Sequence, residues 1–256
     1  MLNFLYAEIW RTLRRPAEKI LLLLTVLLPV AFNLYVLSEN QWMAQDVRIT
    51  VGEAMGVAAI LMPFAGNFFL MAVVDLAFAD ENRLGTMKNS LSAGISRPVY
   101  YFGKIISGTI LAFFHLILAW VSFFLSGFLL LPVNWPELSD MIQQIRLYLA
   151  AVIPLWLGVL GVLYLLYFSF RKGLLAAAAA AIGSFFIVPV LFSLQFPIVD
   201  VVASLHIVEW LALVTVTEPL EMSAGPLIGR CWMIGLGYLV ICVTVGWILF
   251  SRREIK

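Results

Sequence analysis

Side chains able to do covalent or metal chemistry are scarce in this sequence and poorly spaced for it. Its two histidines, His115 and His206, fall in different apolar stretches. Its two cysteines, Cys231 and Cys242, share one stretch, and on a helix that spacing gives about 16 Å of rise, too far for a disulfide. An intramembrane serine protease needs a Ser–His pair on neighbouring spans, and a zinc enzyme needs a ligand cluster. Neither constellation can be read here. The chain has no G-x-x-x-x-G-K-[ST] phosphate loop, no G-x-S-x-G and no H-E-x-x-H. The expectation is a chain that is not an enzyme and binds no cofactor or metal itself. What remains is a thin set of polar residues inside apolar runs: Asn33, Asn67, Asp75, His115, Ser122 and Ser126. Such groups are costly in lipid and are often functional. His115, near the middle of its run, reads as a substrate contact, a proton-linked switch or an interhelical hydrogen bond. Asp75, about a turn from the end of its run, is expected to face water or pair with a nearby cation.

The elements that hold these residues follow from composition. Of the 256 residues 63% are hydrophobic and only 12% charged, and the mean hydropathy is +1.01. That lies outside the range of soluble domains. A fold in water cannot hide so much apolar surface, so the solvent is lipid. The net charge of +1 argues against a nucleic-acid partner. About twenty apolar residues cross a bilayer as a helix. Six runs qualify: 20–37, 54–79, 104–131, 147–170, 174–194 and 230–250. The fold class is therefore all-α integral membrane with six transmembrane helices, the whole chain, 1–256, forming one transmembrane domain.

Lys and Arg near the span ends orient the chain. With the N-terminus in the cytoplasm, Arg11, Arg14, Arg15, Lys19, Arg83, Lys88, Arg97, Lys104, Arg171, Lys172, Arg252, Arg253 and Lys256 fall on the inner side. Only Arg48, Arg146 and Arg230 fall outside. Both termini are then cytoplasmic. The outer connections carry most of the acids, including Glu39, Glu53, Glu137 and Asp140. These either attract a cationic substrate or simply solvate the loops.

Three segments lie off the spans. Residues 1–19 look like an amphipathic interfacial helix, with Leu2, Leu5, Ile9, Trp10 and Leu13 at helical spacing among arginines, and a turn at Pro16. The segment 195–229 is apolar but broken by Pro197, Pro219 and Pro226, and is expected to dip back into the outer leaflet. The inner connection 80–103 has glycines at 85, 94 and 103 and Pro98. Between them, Thr86 to Leu91 reads as a short helix able to dock a soluble partner, or as part of a plain solvated loop. Ala176 to Ala181 would allow close helix packing.

With these parts in place the chain resembles the permease subunit of ABC-2 type ABC transporters. The family's inner loop "E…GT…K…L…SR…Y…GK" is similar to Glu81, Gly85-Thr86, Lys88, Leu91, Ser96-Arg97, Tyr100 or Tyr101, and Gly103-Lys104. Where the family often has a proline before the Ser-Arg, this chain has Gly94. The resemblance implies a type V exporter-like transmembrane domain in a bacterial plasma (inner) membrane. It implies two ATPase subunits that carry ATP and Mg, and a second permease, identical or homologous. It makes the loop helix a coupling helix, with Glu81, Arg83, Gly85, Thr86, Lys88, Leu91, Ser96 and Arg97 facing the ATPase. It leaves Asn33, Asn67 and His115 as candidates to line the substrate path. The chain's small size looks most like peptide-antibiotic export and immunity permeases, with an antimicrobial or other amphipathic peptide as substrate. A second reading stays open, an ion- or proton-coupled secondary transporter with His115 and Asp75 as its relay, and a third is a non-transporting scaffold.

Overall fold

A computed structural model describes residues 1–84, 87–170, Ile207 and 226–252; the expected span at 174–194 and most of the segment 195–229 lie outside them. The described residues form helices and connections, with no strand. Helix α1 is Leu2–Leu13 and α2 is Pro16–Asn40. A single 3-10 turn, Gln45–Val47, leads to α3, Val51–Leu84. Then come the short α4, Met87–Ser92, and the long α5, Arg97–Leu130, and α6, Trp135–Ser169. The last helix, here α7, is Leu227–Arg252. Four of these, α2, α5, α6 and α7, are long and apolar enough to cross a membrane, and α3 qualifies if its two halves count as one span.

Local chemistry explains the boundaries. Pro16 opens α2 and holds the residue before it, Arg15, in an extended conformation with ψ of 140°, as a residue before proline prefers. That breaks the chain between α1 and α2. Thr50 and Glu53 open α3 as a reciprocal capping box, the Thr50 N–H donating to Glu53 Oε2 at 2.9 Å and the Glu53 N–H to Thr50 Oγ1 at 3.2 Å. The halves of α3, Val51–Leu61 and Ala65–Phe78, are bent by 63°, with Pro63 between them, a residue that cannot donate within a helix.

Contacts give the directions of the helices. On α2 and α5, Thr25 meets His115 and Asn33 meets Ser126, so these two run parallel. On α3 and α6, Gly52 lies beside Glu137, Gly66 beside Trp156 and Asp75 beside Tyr167, again parallel. On α6 and α7, Pro154 lies beside Gly235, Gly161 beside Leu239 and Leu165 beside Gly246, also parallel. Against α5, both α3 and α7 run the other way, with Lys104 beside Ala77 and Tyr101 beside Val243. The larger core lies at the end holding α1 and α4, where Phe78, Tyr100, Tyr101, Tyr164, Tyr167, Phe168 and Phe250 pack together. A smaller core, with Val36, Val51, Met55, Phe123 and Leu138, fills the opposite end.

Small residues permit the closest approach, between α6 and α7. A Cβ at Gly235 would overlap the carbonyl of Pro154. At Gly237, two residues on, a Cβ would meet no described residue within 4 Å. Gly235→Leu should therefore force these helices apart and cost about 1–3 kcal/mol. Gly237→Ala should leave the thermal midpoint of the detergent-purified chain unchanged or slightly higher. Equal midpoints for the two variants would contradict this packing.

Candidate functional site

Two polar stripes face each other across α2 and α5. On α2 the buried residues are Glu18, Leu21, Thr25, Asn33, Val36 and Asn40, the three- and four-residue spacing of one helix face. On α5 the facing stripe includes Lys104, Ser107, His115, Ser122 and Ser126, all buried.

The centre of the contact is His115. Its Nε2 lies 2.9 Å from Glu18 Oε1, and its Nδ1 lies 2.8 Å from Thr25 Oγ1. The Thr25 hydroxyl donates to the Leu21 carbonyl at 2.8 Å. A hydroxyl has one proton, so with that proton committed Nδ1 carries a hydrogen and donates to Thr25. One proton then lies between Nε2 and Oε1, on either partner. Glu18 is fully buried, and its Oε2 has no hydrogen-bond partner among the described residues. Farther along, Asn33 Nδ2 donates to the Phe123 carbonyl and to Ser126 Oγ, both at 2.8 Å. The Oδ1 atoms of Asn33 and Asn67 are buried without a hydrogen-bond partner among the described residues. Asn33, Asn67 and His115 are thus all inside the subunit. Of the three, His115 lines a cavity among α2, α3, α5 and α6.

A second buried charge cluster ties α1 to the bundle. Lys104 Nζ lies 2.5 Å from Glu8 Oε2 and donates to the Ala77 carbonyl at 3.0 Å. Arg11 donates to the same carboxylate oxygen at 2.8 Å, and Arg15 donates to the Leu76 carbonyl. Gly103 lets the Phe4 ring lie flush on α5. Lys104, expected among the inner-side loop cations, is instead fully buried, because α1 brings it a carboxylate. The apolar residues of α1 divide between two faces. Phe4, Ile9 and Leu13 pack on the core, whereas Leu2, Tyr6 and Trp10 are exposed, with Arg14 over the Trp10 ring at 4.3 Å. Asp75, expected to face water or pair with a cation, accepts a hydrogen bond from the Tyr167 hydroxyl at 2.7 Å.

The connection between α3 and α5 holds the helix expected there, found at Met87–Ser92. It ends in a Schellman arrangement: the Gly94 N–H bonds the Leu91 carbonyl at 3.1 Å and the Ile95 N–H the Ser90 carbonyl at 3.4 Å. Gly94 has φ of +89°, a conformation glycine adopts without strain, which accounts for glycine at this position. Lys88 and Ser96 are exposed, while Leu91 packs on the core. Arg97 is half-buried and donates to the Ser251 carbonyl at the end of α7. Tyr101 donates to the Val243 carbonyl at 2.8 Å. Glu81 and Arg83 fall in the last turns of α3, and Gly85 and Thr86 lie outside the described residues.

Glu8 and Glu18 are the residues that sequence reasoning missed, because the segment 1–19 was read as lying outside the bundle. The available signal was helical spacing: Glu18 precedes Thr25 by two turns, and Asn33 and Asn40 continue the same stripe.

Among the described residues no group of His, Cys, Asp and Glu could hold a metal, and both cysteines are free and buried. Removing one partner of a buried charged pair costs about 3–5 kcal/mol, and replacing both with apolar groups costs far less. Glu18→Leu and His115→Leu should each lower thermal stability in detergent, and the double variant should lose less than the sum of the two single losses. Strictly additive losses in that double-mutant cycle would mean the two side chains do not interact.

No curated protein matches the chain significantly. Residues 4–187, from α1 through the first four long helices and beyond, match the family described as ABC-2 family transporter protein. That match covers well over half the sequence, and the chain belongs to the ABC-2 family of transporters.

Proposed function

We propose that this chain is the membrane-spanning permease subunit of an ATP-driven exporter, working with separate ATPase subunits and a second permease. Membership of the ABC-2 family carries the reading. The helix α4 supports it, a rigid capped element with Lys88 and Asn89 exposed and Leu91 anchored in the core. In this reading α4 is the coupling helix and the end holding α1 and α4 is cytoplasmic. The chain sits in the bacterial plasma membrane, and ATP and Mg bind the partner ATPase. The exposed ridge of Leu2, Tyr6 and Trp10, ending at Arg14, suits α1 to the headgroup layer. Six spans also fit the directions above. Parallel α6 and α7 place Ser169 and Leu227 at opposite ends of the bundle, and the apolar run 174–194 is long enough to make the return pass.

The acidic outer connections, with Glu39, Glu53, Glu137 and Asp140, suit an amphipathic cationic peptide as substrate. Cells lacking the transporter should then be more sensitive to such peptides, and unchanged sensitivity would remove that substrate class. The buried Glu18–His115 proton pair is the one observation favouring a proton-coupled carrier; vesicle uptake driven by a pH gradient without nucleotide would revive it.

Affinity purification of the tagged chain in mild detergent should bring down a stoichiometric ATPase. Lys88→Glu combined with Glu81→Lys should reduce that recovery by about tenfold, equivalent to the loss of one charge-assisted contact, with the permease still monodisperse. Arg97→Lys, able to keep a donor on Ser251, should retain more ATPase than Arg97→Glu. Full ATPase recovery and transport with the Lys88→Glu, Glu81→Lys variant would take the coupling role away from α4 and the end of α3 that leads to it.

A further inference from the structure

A cavity of about 330 Å³ lies halfway along the bundle, walled by α2, α3, α5 and α6. Its inner wall is buried: Ala112, His115, Trp156 and Leu160 are all less than a tenth exposed. Its rim is not. Leu28 on α2 and Leu61 on α3, both lining residues, are 55% and 57% exposed. Among the described residues the cavity therefore opens sideways through the wall of the bundle between α2 and α3, at a depth where both helices are apolar. The polar side-chain atoms in its lining are those of Thr25, His115 and two indoles. The Thr25 hydroxyl and both His115 nitrogens are already engaged with each other, with Leu21 and with Glu18. Water in a cavity needs two to four polar partners, and this lining has no free imidazole nitrogen to give one. The size falls in the range of small-molecule sites, which are mostly apolar and usually preformed.

We propose that this cavity binds a single hydrocarbon chain, entering sideways from the bilayer between α2 and α3 and ending against Trp156 and His115. Two sources share that chemistry: the acyl chain of a membrane lipid, and the alkyl or apolar tail of an amphipathic molecule handled by the transporter. The site rests on the membrane-spanning character of the helices and not on the ATPase partner.

The test uses the full chain in vesicles of phosphatidylglycerol and phosphatidylethanolamine containing a phospholipid with a diazirine in mid-chain. After irradiation, adducts should map to Ala112, Trp156 and Leu160 as well as to outward residues of α7 such as Val240 and Ile241. Ala112→Phe and, separately, Ala119→Leu should narrow the cavity. Excluding two methylenes of the chain lowers occupancy about tenfold, so the inner adducts should fall by that factor while the α7 adducts stay constant. Adducts on α7 in each variant show that it is inserted and folded. Competition with unlabelled dodecylammonium separates the sources. Loss of the inner adducts assigns the site to single-chain amphiphiles, and their persistence assigns it to lipid. Absence of inner adducts in the unmodified chain, or their insensitivity to both narrowing variants, would overturn the site. Neither result would bear on ATPase recovery, so the exporter reading stands or falls separately.

Discussion

The hydrogen bond between the Glu18 carboxyl and the His115 imidazole is the interaction on which the arrangement of the bundle depends. Lipid tails are as apolar as leucine, so apolar surface alone gives two membrane helices little reason to prefer one face over another. Polar groups supply that preference. Glu18 and Thr25 on α2 bracket one imidazole, and two turns beyond Thr25 Asn33 reaches the Phe123 carbonyl and Ser126. Sliding or rotating α2 by one residue would strand all of these in hydrocarbon, where an unsatisfied polar group costs several kcal/mol. The register of α2 on α5 is thereby fixed by three side-chain polar atoms of α2 and their four partners on α5, and the leucines around them fill whatever surface is left.

The same logic operates at the end of the bundle that holds α1. Lys104 cannot remain bare at full burial, and α1 brings Glu8 to it, with Arg11 on the same carboxylate. α1 is thus part of the tertiary structure as well as a surface element. Its exposed aromatic ridge is left over once Glu8 and Thr12 have been turned inward. Arg15 on Leu76 and Lys104 on Ala77 also bind carbonyls near the end of α3. One small cluster therefore joins α1, α3 and α5 close to the point where α4 hangs between α3 and α5.

Much of this architecture is legible in the sequence, and the illegible part has a common cause. Long apolar runs announce α2, α5, α6 and α7 because hydrocarbon thickness demands about twenty residues whatever they pack against. The flanking glycines left the segment after α3 open between a short helix and a solvated loop, and it forms the helix Met87–Ser92. The roles of Glu8, Glu18 and Lys104 were not legible. Charge counting treats a cation near a span end as a topology signal, and nothing local distinguishes Lys104, fully buried, from Lys88, exposed on α4. The difference is a partner supplied by another helix. The Tyr167 phenol that bonds Asp75 was illegible for the same reason, since it lies on α6, far away in sequence, and is itself uncharged.

These joints decide which parts of the subunit can move together. α4 leads directly into α5. Arg97 and Tyr101 fasten the start of α5 to the end of α7, and the Lys104 cluster fastens it to α1 and α3. In the exporter reading a displacement at α4 would be passed to α5 as a rigid body, because the first two turns of α5 are bonded on three sides. The polar stripe then obliges α2 to follow α5. The wall between α2 and α3 is held differently. At its far end the Asn40 side chain brackets the backbone of Ile49, accepting from the N–H at 2.7 Å and donating to the carbonyl at 2.9 Å. At mid-height the two helices part around the cavity mouth at Leu28 and Leu61. Motion of α2 with α5, tethered near Asn40, would then alter the width of that mouth. A hydrocarbon chain lodged there would resist that motion or travel with it. This connects the polar register of α2 on α5 to the apolar content of the cavity beside it.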